Sequence, residues 1–201
     1  MRYALAGLLL ALVHTPVTAG PMEKESLLQG IPQGFVIGRS SDDGRDAITE
    51  FVPRGETTGS WSRMLTVQIL RGSGDVTPTQ LHAMMAKAWL QSCPEGRVMD
   101  MIGVTENGYP VGLWAQSCPL SAGSSKPVHA WLKVIQGNDS VYVLRSAMRA
   151  EPTDAEIDEQ VGWLRQSMVC DARRPEQSCP THALQPVTPA EQEALDGRSV
   201  N

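Results

Sequence analysis

The sequence predicts an α+β sandwich: about seven mostly antiparallel strands with two main helices packed on the sheet. Three observations predict it. Turn signals at Asn107-Gly108 and Gly137-Asn138-Asp139 separate apolar-rich runs of strand length. Two capping boxes, Thr77 to Gln80 and Thr153 to Glu156, each open a segment with apolar residues at helical spacing. Trp61, Leu65, Val67 and Ile69 share one parity against Ser62, Thr66 and Gln68, as in a strand with one buried face.

Residues 1–19 read as a secretory signal peptide: Arg2, an apolar run over 8–13, and small residues ending at Ala19, where cleavage is expected. No later apolar stretch reaches the roughly 20 residues of a spanning helix. The mature chain is therefore expected to be soluble, periplasmic or secreted. Residues 20–33 have no sustained period and read as an extended lead-in, with order beginning at Phe35. A single α+β domain is expected over 34–170.

Within that domain, Phe35 to Ile37 and Asp46 to Val52 form an opening hairpin around Asp42-Asp43-Gly44. Ile48, Glu50 and Val52 share a face of its second strand, and Glu50 is expected to partner Arg63 across the next. Gly72-Ser73-Gly74 ends the central strand, and a helix should follow from the Thr77 cap to about Gln91, with Leu81, Met84, Met85, Ala88 and Trp89 as its apolar stripe. Four strands are expected next, over 97–105, 109–118, 128–136 and 140–148, as an antiparallel meander with both faces covered. The second helix places Ile157, Val161, Leu164 and Met168 on one face and should end near Cys170. Residues 171–201 read as a loosely attached tail clipped by a disulfide.

Four cysteines in an exported chain read as two disulfides, and proximity favours Cys93 with Cys118 and Cys170 with Cys179. Loop closure alone makes the first worth about 3.5 kcal/mol and the second about 2.7 kcal/mol. With 17 Lys and Arg against 22 Asp and Glu, the chain carries a formal charge of −5, which disfavours nucleic acid and anionic membrane as partners.

The stretch Glu50-Phe51-Val52-Pro53-Arg54-Gly55-Glu56, followed by Trp61, Met64 and Thr66-Val67-Gln68, resembles a group of uncharacterised secreted proteobacterial proteins. The later order of elements resembles, more loosely, the PsbP/Mog1-like sandwich. The resemblance implies an antiparallel sheet flanked by helices and a non-enzymatic leaning; it brings no catalytic residue.

The chemistry legible in the residues agrees with that leaning. There is no G-x-S-x-G elbow, no Gly-rich phosphate loop at either helix, and no closed four-ligand zinc spacing around Cys170, Cys179 and His182. Neither a metal nor a cofactor is expected. Asn138-Asp139-Ser140 is a formal glycosylation sequon on a hairpin turn. The expected role is a non-catalytic binding or accessory protein of the envelope, whose partner is an envelope protein or a small ligand. Two alternatives stay open. A small hydrolase requires His82 or His129 in a cleft against a Ser and a carboxylate. A copper or other metal carrier requires His82, Met84 or Met85 to meet Met99 or Met101. If the protein binds a partner, the rim from Pro53 to Ser60 is the expected contact, with Arg54, Glu56 and Trp61 as its members.

Overall fold

The structure, a computed structural model, describes residues 24–119 and 126–180. In chain order the elements are β1 (Glu25–Leu28), β2 (Phe35–Asp42), β3 (Asp46–Pro53), β4 (Arg63–Arg71), α1 (Pro78–Ser92), β5 (Arg97–Val98), β6 (Ile102–Glu106), β7 (Tyr109–Cys118), β8 (Val128–Gln136), β9 (Ser140–Met148), α2 (Asp154–Gln166) and β10 (Met168–Asp171). Eight strands form one antiparallel sheet in the order β2-β3-β4-β9-β8-β7, with β5 and β6 sharing the far side of β7; β1 and β10 form a separate ribbon. The α+β sandwich is thus the fold, with one more strand in the main sheet than expected.

Each sheet face carries a helix. Leu65, Val67, Tyr142, Leu144 and Ile135 point to one side, where they meet Trp163 and Leu164 of α2 and Val169 of β10. Trp114, Leu132, Val134, Val141 and Val143 point to the other, where Leu81 of α1 packs. Both helices begin at the expected capping boxes, Thr77 accepting from the Gln80 amide and Thr153 from the Glu156 amide. The hairpin at Asn107 (φ 48) and Gly108 (φ 79) has the left-handed pair that a two-residue turn needs.

Several elements depart from the sequence reading, each for a local reason. The strand expected over 97–105 breaks into β5 and β6. Between them Met101 turns toward α1 over Gly112, where a Cβ would stand 2.9 Å from the Pro78 Cβ, so only glycine leaves it room. Within the helical stripe Met84 is 64% exposed, because α1 lies over β7, β8 and β5 and Met84 sits on its free flank. Helix α2 stops at Gln166 rather than near Cys170: the buried Lys133 ammonium donates to the carbonyls of Leu164 (3.1 Å) and Ser167 (2.7 Å), and the chain turns into β10. The Lys133 charge is balanced by Glu106 of β6.

The expected lead-in also holds a strand, β1, which starts at Glu25, ten residues before Phe35. The Glu25 carboxylate is buried and accepts from the backbone of Asn138 (2.5 Å), Asp139 (3.2 Å) and Ser140 (3.3 Å) and from the Tyr142 hydroxyl (3.1 Å). One side chain therefore ties the lead-in to the β8–β9 turn, a device with no periodicity to betray it. The first part of the expected tail is packed as well. Gln177 is buried, the Asn138 amide donates to its side chain at 2.7 Å, and a disulfide joins Cys170 to Cys179. The other disulfide joins Cys93 at the end of α1 to Cys118 at the end of β7. The expected signal peptide over 1–19 and residues 181–201, His182 among them, lie outside the described residues.

Glu50 and Arg63 are not partners. The β3–β4 register sets Glu50 opposite Thr66, so Arg63 has the other parity and faces α2, where it binds Glu159 at 3.0 Å. Trp61 precedes β4 rather than belonging to it, and it packs with the α1-side cluster, not with Leu65 and Val67.

Candidate functional site

The rim residues are largely occupied by their own loop. Glu56 accepts from the Ser62 amide and the Ser62 hydroxyl, both at 2.6 Å, and these bonds hold its carboxyl below the usual range. Trp61 is half-buried, and the Arg149 guanidinium covers one face of its ring at 4.2 Å from the centroid. The Arg54 side chain is exposed, and its amide ties the loop to the Gly34 carbonyl at 2.8 Å. No hydrogen bond or ion pair links these three side chains to one another.

The described histidines and the methionines of α1 and its neighbouring strands have the following surroundings. His82 directs Nε2 at the Met99 carbonyl (3.2 Å) and sets its ring edge-on to Trp114, while Met85 and Met101 fill the α1-side core. Among the described residues no group of three or more His, Cys, Asp or Glu gathers. His129 is cross-strand from Ser117 and lies 3.4 Å from Glu151, yet no hydrogen bond joins the serine to the ring.

What the sequence reading did not single out is an apolar groove between α2 and β6. Because α2 lies over β9 and β8, the strip of sheet above β7 beside it stays open. Its floor is Leu113, Ala115 and Trp131; α2 supplies Val161 and Leu164, and Met99 and Ile102 form the opposite wall. The volume is about 320 Å³, within the range of small-ligand sites. Past Met99, Ala115 and Trp131 the groove continues into a second hollow of about 390 Å³, where Ile157, Arg97 and His129 stand. Arg165 and Asp100 mark its near end. Met99 is 63% exposed and Ile102 65%, although both are large and apolar.

A larger cavity, about 990 Å³, lies between β1 and the β3–β4 side of the sheet. Three of its charged groups are engaged, Glu25 with the β8–β9 turn, Arg71 with Asp42 (2.8 Å) and Asp139 with Arg173 (2.5 Å), while the buried Gln29 Oε1 in its lining has no hydrogen-bond partner among the described residues. On the α1 side, burial pushes the Arg145 guanidinium down while Glu50 pushes it back up.

Comparison with known structures is possible only at the level of fold. The chain is similar to cyanobacterial PsbP from Synechocystis, with a TM-score of 0.52 at 12% identity over 78% of this chain and 98% of that one. It is similar to the Ran-binding protein Mog1p of Saccharomyces cerevisiae, TM-score 0.43 at 10% identity, over 73% and 96% of the two chains. LpqN of Mycobacterium tuberculosis, described as involved in cell envelope biogenesis, gives 0.43 at 16% identity over 77% and 89%. No family model and no curated protein matches the sequence.

Proposed function

We propose that the chain is an exported, non-catalytic binding or accessory protein of the cell envelope that takes an apolar ligand group into the groove between α2 and β6. The observation that carries this is the exposure of Met99 and Ile102 beside Trp131 and Val161, apolar surface that no element among the described residues covers. Export is supported by the signal-like residues 1–19 and by two disulfides, which persist in oxidising compartments. Partner choice then rests on apolar burial, with Arg165 and Asp100 orienting the ligand at one end.

The test is titration with N-phenyl-1-naphthylamine, an uncharged apolar fluorophore, read by its own emission and by tryptophan quenching. Saturable binding is expected, weakened about tenfold or more in Ile102→Glu and Met99→Glu, and unchanged in Ile37→Glu. Unsaturable emission, or equal affinity in all four proteins, removes the reading. One observation favours a hydrolase instead, the approach of His129, Ser117 and Glu151 at the far hollow. Turnover of p-nitrophenyl acetate that disappears in both Ser117→Ala and His129→Ala would carry that reading; no turnover above buffer ends it.

A further inference from the structure

We infer that the occupant of this surface is an extended polypeptide segment of a partner, which adds to β6 as one more strand and sets its alternate apolar side chains beside Ile102 and Val104. This deepens the groove reading and rests on it for the side-chain contacts, while the backbone part has its own support.

That support starts from the hairpin. Thr105 lies opposite Pro110, which has no N–H, and Glu106 and Tyr109 close the two-residue turn. Since bonded and non-bonded pairs alternate along an antiparallel ladder, Val104 and Ile102 exchange bonds with β7, whereas Thr105 and Gly103 turn N–H and C=O away from it. No backbone bond from Gly103 or Thr105 reaches another element among the described residues. Nothing lies within 4 Å of where a Cβ on Gly103 would stand. Two outward donor and acceptor pairs about 6.7 Å apart match the repeat of an extended peptide, and an acyl chain has no group to meet them.

The side chains agree. Ile102 and Val104 are 65% and 39% exposed and share the face of the groove. From Met101 to Thr105 the edge carries no charge, bump or proline, the devices that prevent strand addition. Charge argues for a partner over a second copy. Two β6 strands paired antiparallel about Gly103 would set Asp100 against Glu106, and a one-residue-shifted centre at Val104 would set Glu106 beside Ile102. A foreign segment escapes both, and a basic residue opposite Asp100 completes the match.

The probe is the acetylated and amidated peptide Lys-Val-Thr-Val-Thr-Val-Lys, added to the full mature chain, with residue-resolved amide hydrogen exchange as the readout. At saturation the Gly103 and Thr105 amides are expected to slow by about tenfold or more, while β2 amides do not change. Gly103→Pro, which removes an outward N–H and no bond to β7, and Val104→Lys should each weaken the peptide about tenfold. Keeping both variants guards against one that fails to fold. If the peptide binds but exchange at Gly103 and Thr105 is unchanged, or if the naphthylamine binds and the peptide does not, strand addition is wrong and the groove reading survives. If exchange slows as expected but the naphthylamine never binds, the groove reading fails alone. Slow exchange at both amides without peptide, in a chain that sediments as a dimer, assigns the edge to a second copy and overturns the partner.

Discussion

The two edges of the main sheet are built to opposite specifications. β2 carries Arg39 and Asp42, shifts register between Ile37 and Arg39, and has Asp42 clamped by Arg71 through two bonds of 2.8 and 2.9 Å. Its one exposed large apolar side chain is Ile37, at 64%. β6 has a single anchored end, Glu106 on the buried Lys133, and beyond it an uncharged run that continues into an apolar groove. The proposed contact rests on this contrast between a defended edge and an open one. The same contrast separates the rim, where Glu56 and Trp61 are engaged internally and the Arg54 side chain is exposed, from the groove, whose wall keeps Met99 and Ile102 exposed.

The largest way to break this contrast is to cut the anchor. Glu106→Ala leaves a fully buried ammonium without its counter-charge, and should cost about 3 kcal/mol or more in chemical denaturation. Its effect should spread to the α2 C-terminus, where Lys133 holds the Leu164 and Ser167 carbonyls. Next comes Trp61. Half-buried under Arg149, it should cost about 2 kcal/mol on Trp61→Ala, with a coupling of about 0.5–1 kcal/mol to Arg149→Ala in a double-mutant cycle.

Acid should act at two places, Asp42 on the β2 edge and Asp171 in β10 beside the β6–β7 turn. Hydrogen bonds from Arg71 hold the Asp42 carboxyl at about 2, and those from Arg173 do the same for Asp171. A carboxyl whose folded value is depressed contributes stability that is complete above its unfolded value, about 3.9, and is lost as pH falls toward the folded one. Melting temperature should therefore drop between about pH 4 and pH 2, with a shallower slope in Asp171→Asn. The smallest stability effect belongs to the edges themselves: Ile102→Lys and Ile37→Lys should both stay within about 0.5 kcal/mol of the parent, while only the first weakens an apolar ligand.

Much of the fold was legible because it is local. β7, β8 and β9 lie at their expected positions since Asn107-Gly108 and Gly137-Asn138-Asp139 mark their ends, and both helix starts follow from side chains three residues apart. What was not legible depends on partners far along the chain. Glu25 meets backbone 113 to 115 residues later, and Arg63 meets Glu159 rather than Glu50. The groove escaped notice for a related reason: Leu113, Trp131 and Val161 read as ordinary core, and only the placement of α2 over β9 and β8 leaves them uncovered. One signal was available. The uncharged run Met101 to Thr105 at the start of a meander is what an unguarded edge looks like in sequence.

The most direct test places a photo-cross-linking amino acid at Ile102, Ile37 or Arg54, one position at a time, and compares the adducts formed in the cell that makes the protein. A discrete adduct from position 102, absent at 37 and 54 and competed away by N-phenyl-1-naphthylamine, is the result the account predicts. Adducts from 54 or 37 with none from 102 would contradict it and return the contact to the loop or to the β2 edge.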